Sequence, residues 1–111
     1  MKMYEKDHVL HIVFNEKDIG TSNMKEIVDI ADMYEGRVSN RQGFNFPMKI
    51  VRSFVKNKKS VFSPYLNTSE YVISYKDGDI LTKKHELQHA KYFIDQTFSK
   101  TVKDLWESFP Y

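Results

Sequence analysis

Two short apolar runs along the chain predict strands. Residues 8–15, HVLHIVFN, are rich in β-forming residues and end in a polar stretch. In residues 70–75, EYVISY, the side chains of Tyr71, Ile73 and Tyr75 alternate with those of Val72 and Ser74. The turn residues KDGD follow. Runs of this length bounded by turn residues are typical of strands. We therefore expect both runs to pair in one sheet.

Helical spacing of apolar residues predicts a helix between the two strands. Asn23 is a suitable N-cap with Glu26 three residues later, and Gly36 ends the pattern. The apolar positions between these limits are Met24, Ile27, Val28, Ala31 and Tyr34. Their spacing indicates an amphipathic helix with one face in the core.

A longer helix is predicted after the second strand, over residues 80–97. Asp79 is a good N-cap, and neither glycine nor proline interrupts the segment. Its apolar stripe consists of Leu87, Ala90, Ile94 and Phe98, which we expect to face the sheet. Thr101 and Asp104 then form a capping-box pattern that opens a short helix over residues 102–109.

Two segments complete the element pattern. Residues 37–43 have a loop-like composition, and residues 46–56, FPMKIVRSFVK, fit either a strand or a helix with Pro47 at its first position. We favour the helix. At 111 residues the chain is long enough for one domain but not two. The prediction is a single α+β domain, 1–111, with a small mixed sheet of three or four strands packed against helices.

Composition excludes several classes of site. A hydrophobic content of 41% is that of a folded protein, and the chain has no cysteine. Disulfides, thiolate zinc sites and cysteine nucleophiles are thus excluded, and any metal must be held by His, Asp or Glu. The sequence has neither a long apolar span nor an N-terminal signal pattern, which predicts an intracellular, cytoplasmic protein without a membrane partner.

Charge is distributed unevenly along the chain. Residues 36–69 contain no carboxylate but hold seven of the chain's 17 basic residues, namely Arg37, Arg41, Lys49, Arg52, Lys56, Lys58 and Lys59. Five aromatic residues are interleaved with them: Phe44, Phe46, Phe54, Phe62 and Tyr65. This mixture is typical of single-stranded nucleic-acid binding. The alternative is that the aromatic residues form core and the basic residues only face solvent.

The segment HELQH, residues 85–89, places chemically useful groups on the predicted long helix. At about 100° per residue, His85 and His89 differ by roughly 40° and lie on one face. Both imidazoles can then reach one metal at about 2.0–2.1 Å. Glu86 lies about 100° round the helix, where it can take a proton from a metal-bound water.

HELQH followed by Ala90 resembles the HExxH signature of the zincin-type zinc metallopeptidases. The resemblance covers the motif alone, and Lys83 and Lys91 stand where that family usually has uncharged residues. It implies zinc held by His85 and His89, Glu86 as general base, and a peptide or protein substrate. It also implies a zincin-like N-terminal subdomain in which the strand before the motif helix is an edge strand that binds the substrate.

The resemblance leaves the third zinc ligand open. One branch of the family uses the residue six positions after the second histidine, here Asp95, but the required glycine is replaced by Tyr92. Another branch uses a glutamate from a following helix. Glu107 on the predicted second helix is our preferred ligand, with Asp104 as its alternative.

Two functions follow from these patterns. The first is a minimal zinc-dependent peptidase, whose cleft a partner protein or a second copy of the chain could complete. The second is a zincin-like domain with weak or no catalytic activity that binds nucleic acid or protein through residues 36–69. His8 and His11 in the first strand are expected to be hydrogen-bonded rather than to bind metal.

Overall fold

The computed structural model describes residues 1–36, 42–56 and 59–94, which form a mixed sheet with helices on both of its faces. This is the α+β arrangement expected from the sequence. In chain order the elements are β1 (Lys2–Lys6), β2 (Val9–Phe14), α1 (Ser22–Glu35), β3 (Gly43–Pro47), α2 (Met48–Val55), β4 (Tyr71–Lys76) and α3 (Ile80–Ile94). None of the helices in these ranges is long and apolar enough to cross a bilayer.

The four strands lie in the order β1-β2-β4-β3. β2 and β4 are parallel, with Val9 opposite Tyr71, while β1 and β3 are antiparallel to their neighbours. β4 is therefore an internal strand, and β3 is the edge strand beside it in the described part of the chain. The expectation that the strand before the motif helix is an edge strand is wrong.

One face of the sheet forms the larger core with α1 and α2. From the sheet it receives Leu10, Ile12, Phe14, Phe44, Phe46 and Val72. Helix α1 contributes Met24, Ile27, Ile30 and Ala31 to this core, and α2 contributes Met48, Val51 and Val55. The apolar stripe of each helix is buried against the strands, because an amphipathic helix is stable only when that stripe is removed from water.

Helix α3 covers the opposite face of the sheet. Val9, Tyr71, Ile73 and Tyr75 alternate along β2 and β4 toward this side and pack with Ala90. Leu87 and Ile94 are half-buried against the same cluster. This confirms the predicted stripe up to Ile94, while Phe98 and the predicted helix over 102–109 lie outside the described residues.

The helix starts partly match the expected caps. Asp79 caps α3 as predicted: its Oδ1 accepts a hydrogen bond from the Thr82 backbone N–H at 3.1 Å. For α1, the cap is Thr21 and not Asn23, because Thr21 Oγ1 accepts from the Met24 N–H. The segment over 48–55 is helical, as favoured, and Pro47 is both the last residue of β3 and the N-cap of α2. The patterns predict neither β1 nor β3.

Candidate metal centre

His85 and His89 lie together on an exposed flank of α3. Their Nε2 atoms are 3.3 Å apart, and their rings meet nearly edge to face at 80°. Two Zn–N bonds of about 2.0–2.1 Å at the tetrahedral angle would separate the two nitrogens by roughly 3.3–3.4 Å. The pair therefore has the spacing of two neighbouring ligands of one tetrahedral metal ion, as the i, i+4 positions predict.

Glu86 points from α3 toward the edge strand β3 and is only 5% exposed. Asn45 on β3 donates its side-chain N–H to Glu86 Oε2 at 2.7 Å. The hydroxyl of Tyr71 on β4 in turn donates to Asn45 Oδ1 at 2.6 Å. This chain of hydrogen bonds fixes the position of the carboxylate. At about 100° per residue, Glu86 lies between the histidine flank and the sheet.

Gly43 allows α3 to approach β3 closely enough for this contact. A Cβ atom at Gly43 would lie 2.6 Å from Thr82 Cγ2 and 3.0 Å from Glu86 Oε1. Any larger side chain would push the helix away from the strand, because such distances are shorter than van der Waals contact. Gly43 is thus a condition for the position of Glu86 beside the edge of the sheet.

Sequence reasoning missed Asn45, although a signal is present in the strand that contains it. In GFNFP, Phe44 and Phe46 face the larger core, so alternation along the strand sends Asn45 to the α3 face. A buried asparagine must find hydrogen-bond partners, which here are a carboxylate and a tyrosine. The absence of β3 from the predicted elements concealed this residue.

The candidates for a third metal ligand lie outside the residues that the structure describes. Glu107 and its alternatives Asp95 and Asp104 all fall outside the described residues. Within the ranges 1–36, 42–56 and 59–94, no group of three or more His, Asp or Glu side chains could hold a metal ion. In the described part of the chain, the candidate centre thus consists of the His85–His89 pair with Glu86 next to it.

The two histidines near the start of the chain are hydrogen-bonded, as expected. His11 is buried, its Nδ1 lies 3.1 Å from the Tyr75 hydroxyl, and its ring stacks on Tyr4. Burial, together with nearby lysines, lowers the pKa of His11 to about 4. The exposed His8 has its Nδ1 3.4 Å from the Thr68 carbonyl oxygen.

The basic interval presents cations to solvent but buries most of its aromatic residues. Among the described residues, Lys49, Arg52, Lys56 and Lys59 are exposed, and Arg52 donates to the Leu66 carbonyl oxygen at 2.8 Å. Phe44, Phe46 and Phe62 are core residues, as the alternative interpretation expected, so they cannot stack on bases. Phe54 and Tyr65 are partly exposed. Arg37, Arg41 and Lys58 lie outside the described residues.

Comparisons with known proteins do not indicate a function. No protein-family model, no curated protein and no solved structure gave a significant match to the chain. The geometry on α3 and β3 is therefore the basis for a functional assignment.

Proposed function

We propose that the protein is a zinc-dependent metallopeptidase in which His85 and His89 bind Zn²⁺ and Glu86 is the general base. The observation that carries the proposal is the 3.3 Å separation of the two Nε2 atoms, which matches two ligands of a tetrahedral metal. Bound zinc would supply Lewis-acid activation of a water molecule, whose pKa falls toward ~7. Glu107 is the proposed third ligand, with Asp95 and Asp104 as alternatives.

Glu86 is suited to proton transfer because its side chain is fixed before substrate arrives. Asn45 holds Oε2 in place by donating a hydrogen bond to it. The acceptance of a proton from water as the water attacks a carbonyl, followed by its delivery to the leaving nitrogen, is the usual sequence for a general base in peptide hydrolysis. Anchoring by Asn45 reduces the reorganisation that this transfer requires.

The edge strand β3 gives the proposal a surface for the substrate. It pairs with β4 on one side, and in the described part of the chain no strand pairs with its other side. An extended peptide can add to such an edge through main-chain hydrogen bonds. Since Glu86 contacts β3 through Asn45, a peptide on this edge would lie close to the histidine flank of α3.

Metal content tests the proposal directly. Purified, tag-free wild type is analysed for zinc beside His89→Ala, Glu86→Gln and the control His8→Ala, which removes an exposed histidine outside α3. We expect near-stoichiometric zinc in the wild type, Glu86→Gln and His8→Ala, and loss of zinc in His89→Ala. Circular dichroism confirms that each variant is folded. Equal zinc in His89→Ala and wild type, or no zinc in the wild type even after titration, would exclude this site.

Activity is tested after the metal. Cleavage of unfolded protein or of a peptide library should be abolished by a chelator, restored by zinc, and reduced by at least about 100-fold in Glu86→Gln, since general-base catalysis typically contributes 10²–10⁴-fold. Glu107→Gln should weaken zinc binding if Glu107 is the third ligand. Retention of zinc without cleavage would favour a zincin-like domain with little activity.

Nucleic-acid or protein binding through residues 36–69 remains the second candidate function. The exposed positions of Lys49, Lys56 and Lys59 support it, while the burial of three of the five aromatic residues weighs against base stacking. Binding to single-stranded DNA is measured at several salt concentrations. Affinity that falls steeply with salt and is reduced in Lys49→Gln/Lys56→Gln would support this function.

A further inference from the structure

A concave site separate from the candidate metal centre lies between α3 and the β1–β2 hairpin. It is a groove of about 710 Å³, which is within the range of small-molecule sites. Its apolar lining comes from Val9 of β2 and from Leu87 and Ile94 of α3. At about 100° per residue, Leu87 and Ile94 lie roughly 180–200° round the helix from His85. The groove and the candidate metal centre are therefore on opposite flanks of α3.

The charge around this groove is predominantly positive. Of the described residues, Lys6, Lys83 and Lys91 line it, against one carboxylate, Asp7. The lysines come from both walls, since Lys6 belongs to β1 and the other two belong to α3. The Lys83 ammonium also lies 5.7 Å from the centre of the Tyr75 ring, which holds it on the sheet side of the helix.

The lysines that line the groove also act on His11 at its base. Its pKa is lowered mainly by burial and further by Lys83 and Lys6, while Asp7 opposes the shift. An uncharged imidazole can donate or accept one more hydrogen bond beside the Tyr4 and Tyr75 hydroxyls, which are 3.1 Å apart. The groove thus combines apolar walls, polar groups at its base and a cationic rim.

We propose that this groove binds a small amphiphilic anion, a carboxylate carrying an apolar chain. The apolar chain would pack on Val9, Leu87 and Ile94, and the carboxylate would be placed among the lysines. A cation or a neutral molecule with the same apolar chain would fit the apolar walls but would not pair with the lysines. The proposal does not depend on zinc or on Glu86, since it uses the other flank of α3.

Calorimetric titration with decanoate tests the proposal, with decanol and decyltrimethylammonium as probes of matched chain length. Every titration is made below the micelle-forming concentration and with a chelator present, so that the carboxylate cannot bind a metal. The proteins are the wild type, Lys83→Gln/Lys91→Gln, the control Lys84→Gln and His89→Ala. Lys84 is an exposed lysine of the same helix that does not line the groove.

We expect saturable decanoate binding to the wild type, Lys84→Gln and His89→Ala. Binding to Lys83→Gln/Lys91→Gln should be at least about fivefold weaker, which is the loss in affinity expected when one or more partly exposed charge pairs are removed. Nuclear magnetic resonance should show shifts centred on Val9 and Leu87, and an increase in the pKa of His11 as the anion screens the lysines. Absence of saturable binding, equal affinity for the cationic probe, or an unchanged affinity in the double lysine variant would overturn the proposal. Loss of binding in His89→Ala would also overturn it, by assigning the carboxylate to the histidine flank.

Discussion

Glu86 shows how a single side chain connects the fold to the proposed chemistry. A buried carboxylate is costly unless hydrogen bonds replace its lost water. Asn45 supplies one such bond, and Tyr71 fixes the orientation of Asn45 through its other amide atom. The position of the carboxylate therefore depends on two neighbouring strands as well as on its own helix. A general base held in this way needs little rearrangement before it accepts a proton.

His11 predicts a loss of stability at mildly acidic pH. Its pKa is about 4 in the folded protein and about 6.5 in a model compound, so the unfolded chain binds the proton more readily between these values. The contribution of neutral His11 is therefore complete above about pH 6.5 and is lost as the pH falls toward 4. It amounts to at most about 3.4 kcal/mol in the free energy of unfolding, at about 1.36 kcal/mol per pKa unit.

Urea unfolding of the wild type and His11→Gln between pH 4 and 7.5 measures this contribution. The difference between the two unfolding free energies should shrink as the pH falls, because glutamine does not titrate. The other three histidines are present in both proteins, so their contributions cancel in the difference. A difference that stays constant across this range would show that His11 is readily protonated in the folded state.

The elements differ in how well the sequence predicted them, and the reason is the amount of apolar surface each one buries. β2, β4, α1 and α3 contain long apolar patterns, so their existence follows from burial alone. β1, KMYEK, places only Met3 and Tyr4 partly inside and otherwise resembles a polar terminus. β3, GFNFP, contains glycine, asparagine and proline, which usually mark turns. Pairing with β4 stabilises it as a strand.

The sequence predicts one part of the candidate site and not the rest. The i, i+4 spacing is a local property of a helix, so the sequence correctly predicted that the two histidines would meet. The partner of Glu86 depends on which strand lies beneath α3, and no local pattern specifies that strand. A third ligand would likewise come from a distant segment, so spacing alone cannot select among its candidates.

The contact between α3 and β3 predicts a specific effect of Gly43→Ala. The new methyl group would meet Thr82 Cγ2 and Glu86, so the helix must shift or the strand must bend. We expect a loss of about 1–3 kcal/mol in the free energy of unfolding, as for other overpacked positions. Thr82→Ser removes Cγ2 and retains the hydroxyl that donates to Asp79. The double variant should therefore recover part of the loss in urea unfolding. Equal stability of Gly43→Ala and wild type would show that the helix can move at no cost.

At the scale of the whole molecule, the sheet separates two clusters of unequal size. Fourteen buried residues form the cluster on the α1 and α2 face, and five form the cluster under α3 among the described residues. Hydrophobic stabilisation grows with the apolar area removed from water, so these clusters of described residues predict that α3 is held less strongly than α1. Regions with fewer buried apolar contacts open at lower free energy than the whole protein unfolds. Both proposed binding sites lie on α3, so we expect them on the less stable face of the described part of the chain.

This difference predicts that α3 exchanges its amide hydrogens through an opening that leaves the larger core intact. Leu87→Ala should accelerate exchange in α3 with little effect on α1, because among the described residues Leu87 packs with the smaller cluster and not with the larger one. Ile27→Ala is the matched substitution on the other face. It removes a fully buried side chain, which should lower the free energy of unfolding by about 2–5 kcal/mol. It should accelerate exchange in both helices, since opening the larger core unfolds the whole chain. Hydrogen exchange followed by mass spectrometry measures both variants. If Leu87→Ala accelerated exchange equally in α1 and α3, the two faces would unfold as one unit and α3 would have no separate opening.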